Sequence, residues 1–190
     1  MPSYYLDIET TGLDPKKDKI ISIQYQPLDM NTGEPIGELI ILKEWESSEK
    51  EMLKKFLLDS RVLDEYSFSF VPIGFNLGFE HNFLKQRTLF HGLPEIDILS
   101  KPFIDLRAIA ILMNKGQFKG SGLNNMTGKK SSGTKIPIFY ETKNYEEIIR
   151  YIKNETEEFL KFNAWLYKEM PELYKKFKEE VLGESRKATS

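Results

Sequence analysis

Asp7 and Glu9 stand two residues apart in the stretch Tyr5-Leu6-Asp7-Ile8-Glu9. Side chains on an extended strand alternate between faces, so both carboxylates point the same way, about 7 Å apart along the chain. Apolar neighbours flank them, and two anions on one face repel each other and are costly to bury unpaired. A divalent cation would relieve that cost; the alternative is a solvated strand end with two exposed acids. The composition restricts what such an ion could meet. The chain has no cysteine, which excludes disulfides, cysteine-ligated zinc and thiol nucleophiles. It has two histidines, His81 and His91, which excludes a multi-histidine centre. Carboxylates would have to hold the ion, and hard oxygen ligands suit Mg²⁺ or Mn²⁺.

The pair continues as Asp7-Ile8-Glu9-Thr10-Thr11-Gly12-Leu13, which resembles the first motif of the DEDD 3′–5′ exonucleases. That superfamily includes the proofreading domains of DNA polymerases and several ribonucleases. Its second motif is an Asn followed, four residues on, by an Asp, after a strand and inside a helix. This chain has Gly74-Phe75-Asn76-Leu77-Gly78-Phe79-Glu80, with Glu in the acidic place. The third motif of the tyrosine branch is a Tyr and, four residues on, an Asp. Here it is matched by Tyr151-Ile152-Lys153-Asn154-Glu155, again with Glu for Asp. Tyr and acid four apart share one helical face. Glu157 and Glu158 offer competing assignments for the acid. The resemblance implies an RNase H-like fold. It also implies two cations ~3.5–4 Å apart, held by Asp7, Glu9, Glu80 and Glu155, that drive phosphodiester hydrolysis from a 3′ end. It places Thr10, Leu13, Asn76 and Phe79 around the terminal nucleotide, with Leu13 wedged against bases or, alternatively, covering the core. Tyr151, whose ordinary pKa is near ~10, would orient the attacking water rather than take its proton. Each Glu for Asp sets a carboxylate one methylene, ~1.5 Å, further from its backbone, a change Mg²⁺ tolerates less readily than Mn²⁺.

These residues need elements to hold them. Residues 4–8, 20–28 and 38–43 read as strands, with turn residues between them, forming a three-stranded antiparallel meander. Ser48 with Glu51 is a capping box opening a helix over 48–58. A strand over 68–75 precedes a helix over 77–90 stopped by Gly92 and Pro94, and 104–113 reads as a further helix. Residues 116–137, with five glycines, read as a surface loop whose Lys129 and Lys130 could meet a nucleic-acid backbone or simply be solvated. A long helix covers 145–167, Pro171 opens a last one to 182, and 183–190 is a frayed tail. One α/β domain over 1–182, with a mixed sheet flanked by helices, is expected.

The net charge of −2 argues against bulk electrostatic binding to nucleic acid, but a small basic groove would be hidden in that total. No window approaches the ~18 apolar residues of a membrane helix, and a cytoplasmic location is the default. The expected substrate is single-stranded nucleic acid, DNA favoured over RNA. An exoribonuclease with the same site, or a drifted nucleic-acid-binding module, are the alternatives.

Overall fold

The computed structural model describes residues 3–128 and 133–187. Strand β1 (Ser3–Thr10) is packed on both faces. Leu6 and Ile8 enter a core cluster with Ile20, Tyr25, Leu53, Phe56 and Leu84. Tyr5 enters the opposite one, with Ile73, Leu106, Phe159 and Leu166. Strand β2 (Ile20–Leu28) pairs antiparallel with β1, setting Asp7 opposite Gln24 and Glu9 opposite Ser22. Strand β3 (Ile40–Lys43) completes the expected meander, starting two residues later than position 38.

On its other side β1 pairs in parallel with β4 (Pro72–Gly74), which pairs in parallel with β5 (Ile104–Asp105). The sheet order is β3-β2-β1-β4-β5. Three parallel strands bring their C-terminal ends to one edge, where ligands bind in open α/β sheets.

Helices cover both faces. Helix α1 (Glu49–Ser60) starts at Ser48, whose hydroxyl accepts from the Glu51 amide, the capping expected from sequence. Helix α2 (Leu77–Phe90) has the expected bounds and packs with α1 over Leu6 and Ile8. On the opposite face lie α3 (Leu106–Met113), α4 (Leu123–Thr127), α5 (Ile136–Glu141) and α6 (Tyr145–Lys187).

Four expectations need correction. The strand over 68–75 shrinks to Pro72–Gly74. The helix over 104–113 begins only at Leu106, because the Asp105 side chain accepts from the Arg107 amide and caps it there. Ile104 and Asp105 are thereby left extended to form β5. The 116–137 loop contains α4 and the start of α5, anchored in the core by Leu123 and Ile136. Finally, α6 runs unbroken through Pro171, at an exposed position where the carbonyl that proline leaves unpaired can be solvated. The helix continues to Lys187. Lys129 and Lys130 lie outside the described residues, as do positions 188–190.

Candidate active site

The strand alternation that buries Leu6 and Ile8 under α2 turns Tyr5, Asp7 and Glu9 towards α6. Asp7 is held by two donors: Gln24 Nε2 donates to its Oδ2 at 2.8 Å, and the Tyr5 hydroxyl at 3.3 Å. Burial, and then the charge of Glu155, push the Asp7 carboxyl up to about 7; the hydrogen bonds pull the other way. Glu9 is 9% exposed on the same face.

Glu80 comes in from the first turn of α2 and is buried. Burial first, then the neighbouring Asp7, raise it well above the usual carboxylate range, and its Oε2 has no hydrogen-bond partner. Its position depends on how α2 begins. Asn76 adopts a left-handed conformation (φ 78°), which Asn tolerates better than most residues. The Asp105 carboxylate accepts from the Asn76 amide at 2.8 Å and the Leu77 amide at 3.0 Å. One side chain at the end of β5 therefore caps α2 and α3 together.

From α6, Tyr151 and Glu155 face the same point one turn apart. Tyr151 is held protonated above its ordinary range by burial, by the charges of Glu155 and Glu9, and by a hydrogen bond to Glu155. Glu157 is exposed and Glu158 pairs with Lys161 at 3.0 Å, so Glu155 is the acid of this helix that meets Asp7. The three carboxylate-bearing elements suggested by sequence thus converge on Asp7.

The residues named for the terminal nucleotide separate by role. Leu13 is 84% exposed at the tip of the β1–β2 connection, so it does not cover the core. The Thr10 hydroxyl donates to the Gly12 carbonyl at 2.6 Å and shapes that turn. Arg87 of α2 fastens the turn's far side by donating to the Pro15 carbonyl at 3.3 Å. Asn76 is exposed, its side chain making no cap hydrogen bond. Phe79 is half-buried, with its ring 4.8 Å from that of Phe83. His81 sits 3.5 Å from Asp97, turned to a different neighbour.

Gln24, Tyr5, Asp105 and Arg87 were not visible as site residues in the sequence. Asp105 had a local signal, an acid directly before the apolar run Leu106-Arg107-Ala108-Ile109. Gln24 becomes legible only once the β1–β2 register is known.

The donor set fits a hard divalent cation. It consists of oxygen ligands, one of them a buried carboxylate oxygen without a partner, around an Asp7 that burial and its neighbours drive towards protonation. Among the described residues, no three Asp, Glu or His side chains close around a single point in this conformation, so the contacts are pairwise.

Comparison with known proteins gives the superfamily and the fold. A family model described as the RNase_H superfamily matches residues 4–176, and the chain belongs to that superfamily. An uncharacterized protein of Methanocaldococcus jannaschii is 27% identical over 191 residues, covering 98% of this chain and 84% of that one. Among solved structures, the family B DNA polymerase of the hyperthermophilic archaeon Pyrobaculum calidifontis superposes over 90% of this chain with a TM-score of 0.65 and 16% identity. E. coli Exonuclease I in complex with a dT13 oligonucleotide superposes over 92%, with a TM-score of 0.54 and 13% identity. The chain spans 25% of the polymerase chain and 42% of the exonuclease chain. The five-stranded mixed sheet with helices on both faces is the RNase H-like exonuclease fold. Among the described residues no helix is long and apolar enough to cross a membrane.

Proposed function

We propose that this protein is a metal-dependent 3′–5′ exonuclease of the tyrosine DEDD branch, acting on single-stranded DNA. The observation that carries the reading is the convergence of Glu80 and Glu155, from two different helices, on the half-buried Asp7 beside the buried Glu9. Structural stability gives no reason to gather four acids; a bound cation does.

Asp7, Glu9, Glu80 and Glu155 would hold Mg²⁺ or Mn²⁺ ions. When bound, these ions supply a nucleophile at neutral pH and stabilise charge on the scissile phosphate. The protein's own contribution is positional. Gln24 and Tyr5 fix the Asp7 carboxylate, leaving its orientation independent of the substrate. Tyr151, kept protonated and hydrogen-bonded to Glu155, would orient a water through its hydroxyl oxygen, as an acceptor, rather than deprotonate it. Leu13 projects beside the end of β1, where a terminal base can stack against it. The exposed Asn76 lines the same edge from the start of α2.

Tyr151→Phe removes one hydroxyl and little else. Single-turnover hydrolysis should slow by roughly 10–1000-fold, the range of one lost catalytic hydrogen bond, with little change in affinity. Rates equal to wild type would mean that Tyr151 only packs against the core.

The longer arms of Glu80 and Glu155 carry a further expectation. Mn²⁺ should support at least as much activity as Mg²⁺, whose near-octahedral demand is stricter. The reading is tested by incubating wild-type protein with single-stranded DNA, and in parallel RNA, in Mg²⁺, Mn²⁺ or EDTA. Release of mononucleotides with either metal and none in EDTA supports it; undiminished hydrolysis in EDTA excludes the metal chemistry. Faster RNA than DNA turnover would favour the exoribonuclease reading of the same site.

A further inference from the structure

Residues 106–140 contain no Asp or Glu, although the chain has 29 of them, and they carry Arg107, Lys115, Lys119, Lys129, Lys130 and Lys135. A net charge of −2 therefore conceals one strongly positive segment. The fold brings this segment alongside the site. It departs from β5 directly after Asp105, the residue that caps α2 at Asn76. It returns at Gly133, where an added Cβ would lie 3.2 Å from the Tyr151 hydroxyl. Its far end is secured by Tyr140, which accepts from Lys19 Nζ at 2.7 Å and meets Glu44.

Near its start the segment builds a stack. The Arg107 guanidinium lies 4.3 Å from the Phe118 ring centroid and 5.4 Å from that of Phe75. Its Nη2 donates to the Phe118 carbonyl at 3.4 Å, while its Nε has no hydrogen-bond partner. Phe118 remains 62% exposed, flanked in sequence by the exposed Lys115 and Lys119. In the parallel β1–β4 register Tyr5 is opposite Ile73, and Phe75 follows directly after β4 ends at Gly74. The stack therefore begins at the C-terminal edge of the sheet, the edge towards which β1 runs with Asp7 and Glu9. An exposed aromatic braced by a cation and bordered by lysines has the chemistry of a single-strand platform: bases stack on the ring while the basic groups follow the phosphates.

We infer that the Arg107–Phe118 stack, with Lys115 and Lys119, forms a track for the strand leading into the carboxylate site. This deepens, and rests on, the single-strand exonuclease reading above. Stacking is tolerant of sequence, so the track takes single-stranded DNA without base preference.

The test is fluorescence anisotropy of a labelled oligothymidylate with the full-length chain in EDTA, where no hydrolysis intervenes. Phe118→Ala should weaken binding by roughly 5–100-fold, the weight of one base–aromatic stack, and Phe118→Trp should restore it. The Lys115→Ala/Lys119→Ala double variant should reduce the salt slope of log K by about 1.4, at ~0.7 for each phosphate contact on a single strand. Wild-type affinity in Phe118→Ala, an unchanged slope in the lysine variant, or no binding by wild type overturns the track. If binding falls as expected but wild type releases no nucleotide in Mn²⁺, the track stands and the exonuclease reading fails. If wild type releases nucleotides and Phe118→Ala binds as wild type does, only the track fails.

Discussion

Asp7→Asn is expected to lower the rate of nucleotide release by roughly 1000-fold or more and, in metal-free buffer, to raise the melting temperature. The catalytic loss follows from its place: Asp7 is the carboxylate that both Glu80 and Glu155 approach. Metal ligation is worth several kcal/mol of transition-state stabilisation, and each 1.36 kcal/mol is a factor of ten. Glu9→Gln should behave alike. The stability gain has the opposite origin. Burial and Glu155 raise the Asp7 carboxyl to about 7 in the folded state, against 3.8 when unfolded. The stability contributed by the protonated folded form is therefore complete below the unfolded value. It drains away as pH rises from about 4 to 7, where the unfolded chain ionises and the folded one resists. Asn does not titrate, so the advantage of the variant in melting temperature should grow across that window and level off above it. Each 1 kcal/mol should appear as roughly 2–4 °C at this chain length. Mn²⁺ should stabilise wild type and leave Asp7→Asn nearly unaffected. Thermal melts from pH 4 to 8, with and without Mn²⁺, check the whole pattern; an advantage that shrinks as pH rises would contradict it.

Arg87→Ala is expected to cost roughly 3–5 kcal/mol of stability, the penalty for leaving a buried charge without its partner. Arg87 donates to Glu49 through Nε at 2.9 Å and Nη2 at 2.6 Å, and both side chains are almost fully buried. Glu49 also accepts from the Ile20 amide at 2.8 Å and lies 2.8 Å from His91 Nε2. Burial alone would raise the Glu49 carboxyl, but the bonds from Arg87, His91 and Ile20 outweigh it, and the net shift is downward. With a depressed folded value, its stabilisation is present above the unfolded value of 4.5 and is lost as pH falls through the lowered one. Arg87→Lys should recover only part, since an ammonium cannot make the two-pronged contact. The same residue holds the Pro15 carbonyl, so activity should fall in Arg87→Ala even at temperatures where the variant is folded. Denaturant unfolding and single-turnover rates on the two variants measure both effects; stability within 1 kcal/mol of wild type would mean that Glu49 finds other partners.

The strands of the meander and the helix Leu77–Phe90 were legible because their patterns are long and periodic and their turns carry Gly, Pro or Asn. Strand β5 was not, since two residues have no period, and its extended form follows from Asp105 capping both neighbouring helices. Pro171 misled in the other direction: proline disfavours a helix interior, yet here it interrupts neither the ladder nor the axis enough to end α6. In the site, the first motif was readable because its residues are adjacent in sequence. Glu155 could be separated from Glu157 and Glu158 only by the face it presents to Asp7. Arg87 reads in sequence as a helix-surface cation; its burial against Glu49 crosses 38 residues and appears only in the fold. The acid-free segment was written in the composition, but its importance depends on where β5 and α6 put its two ends.

The polarity and metal dependence of hydrolysis are read from the time course of two copies of one single-stranded DNA, labelled at the 5′ or the 3′ end, with wild-type protein in Mn²⁺. The 3′ label should be released at once as a mononucleotide, while the 5′-labelled strand shortens one nucleotide at a time. Both reactions should cease in EDTA and in Asp7→Asn. Early release of the 5′ label, internal cuts, or equal rates in Asp7→Asn would contradict the exonuclease reading.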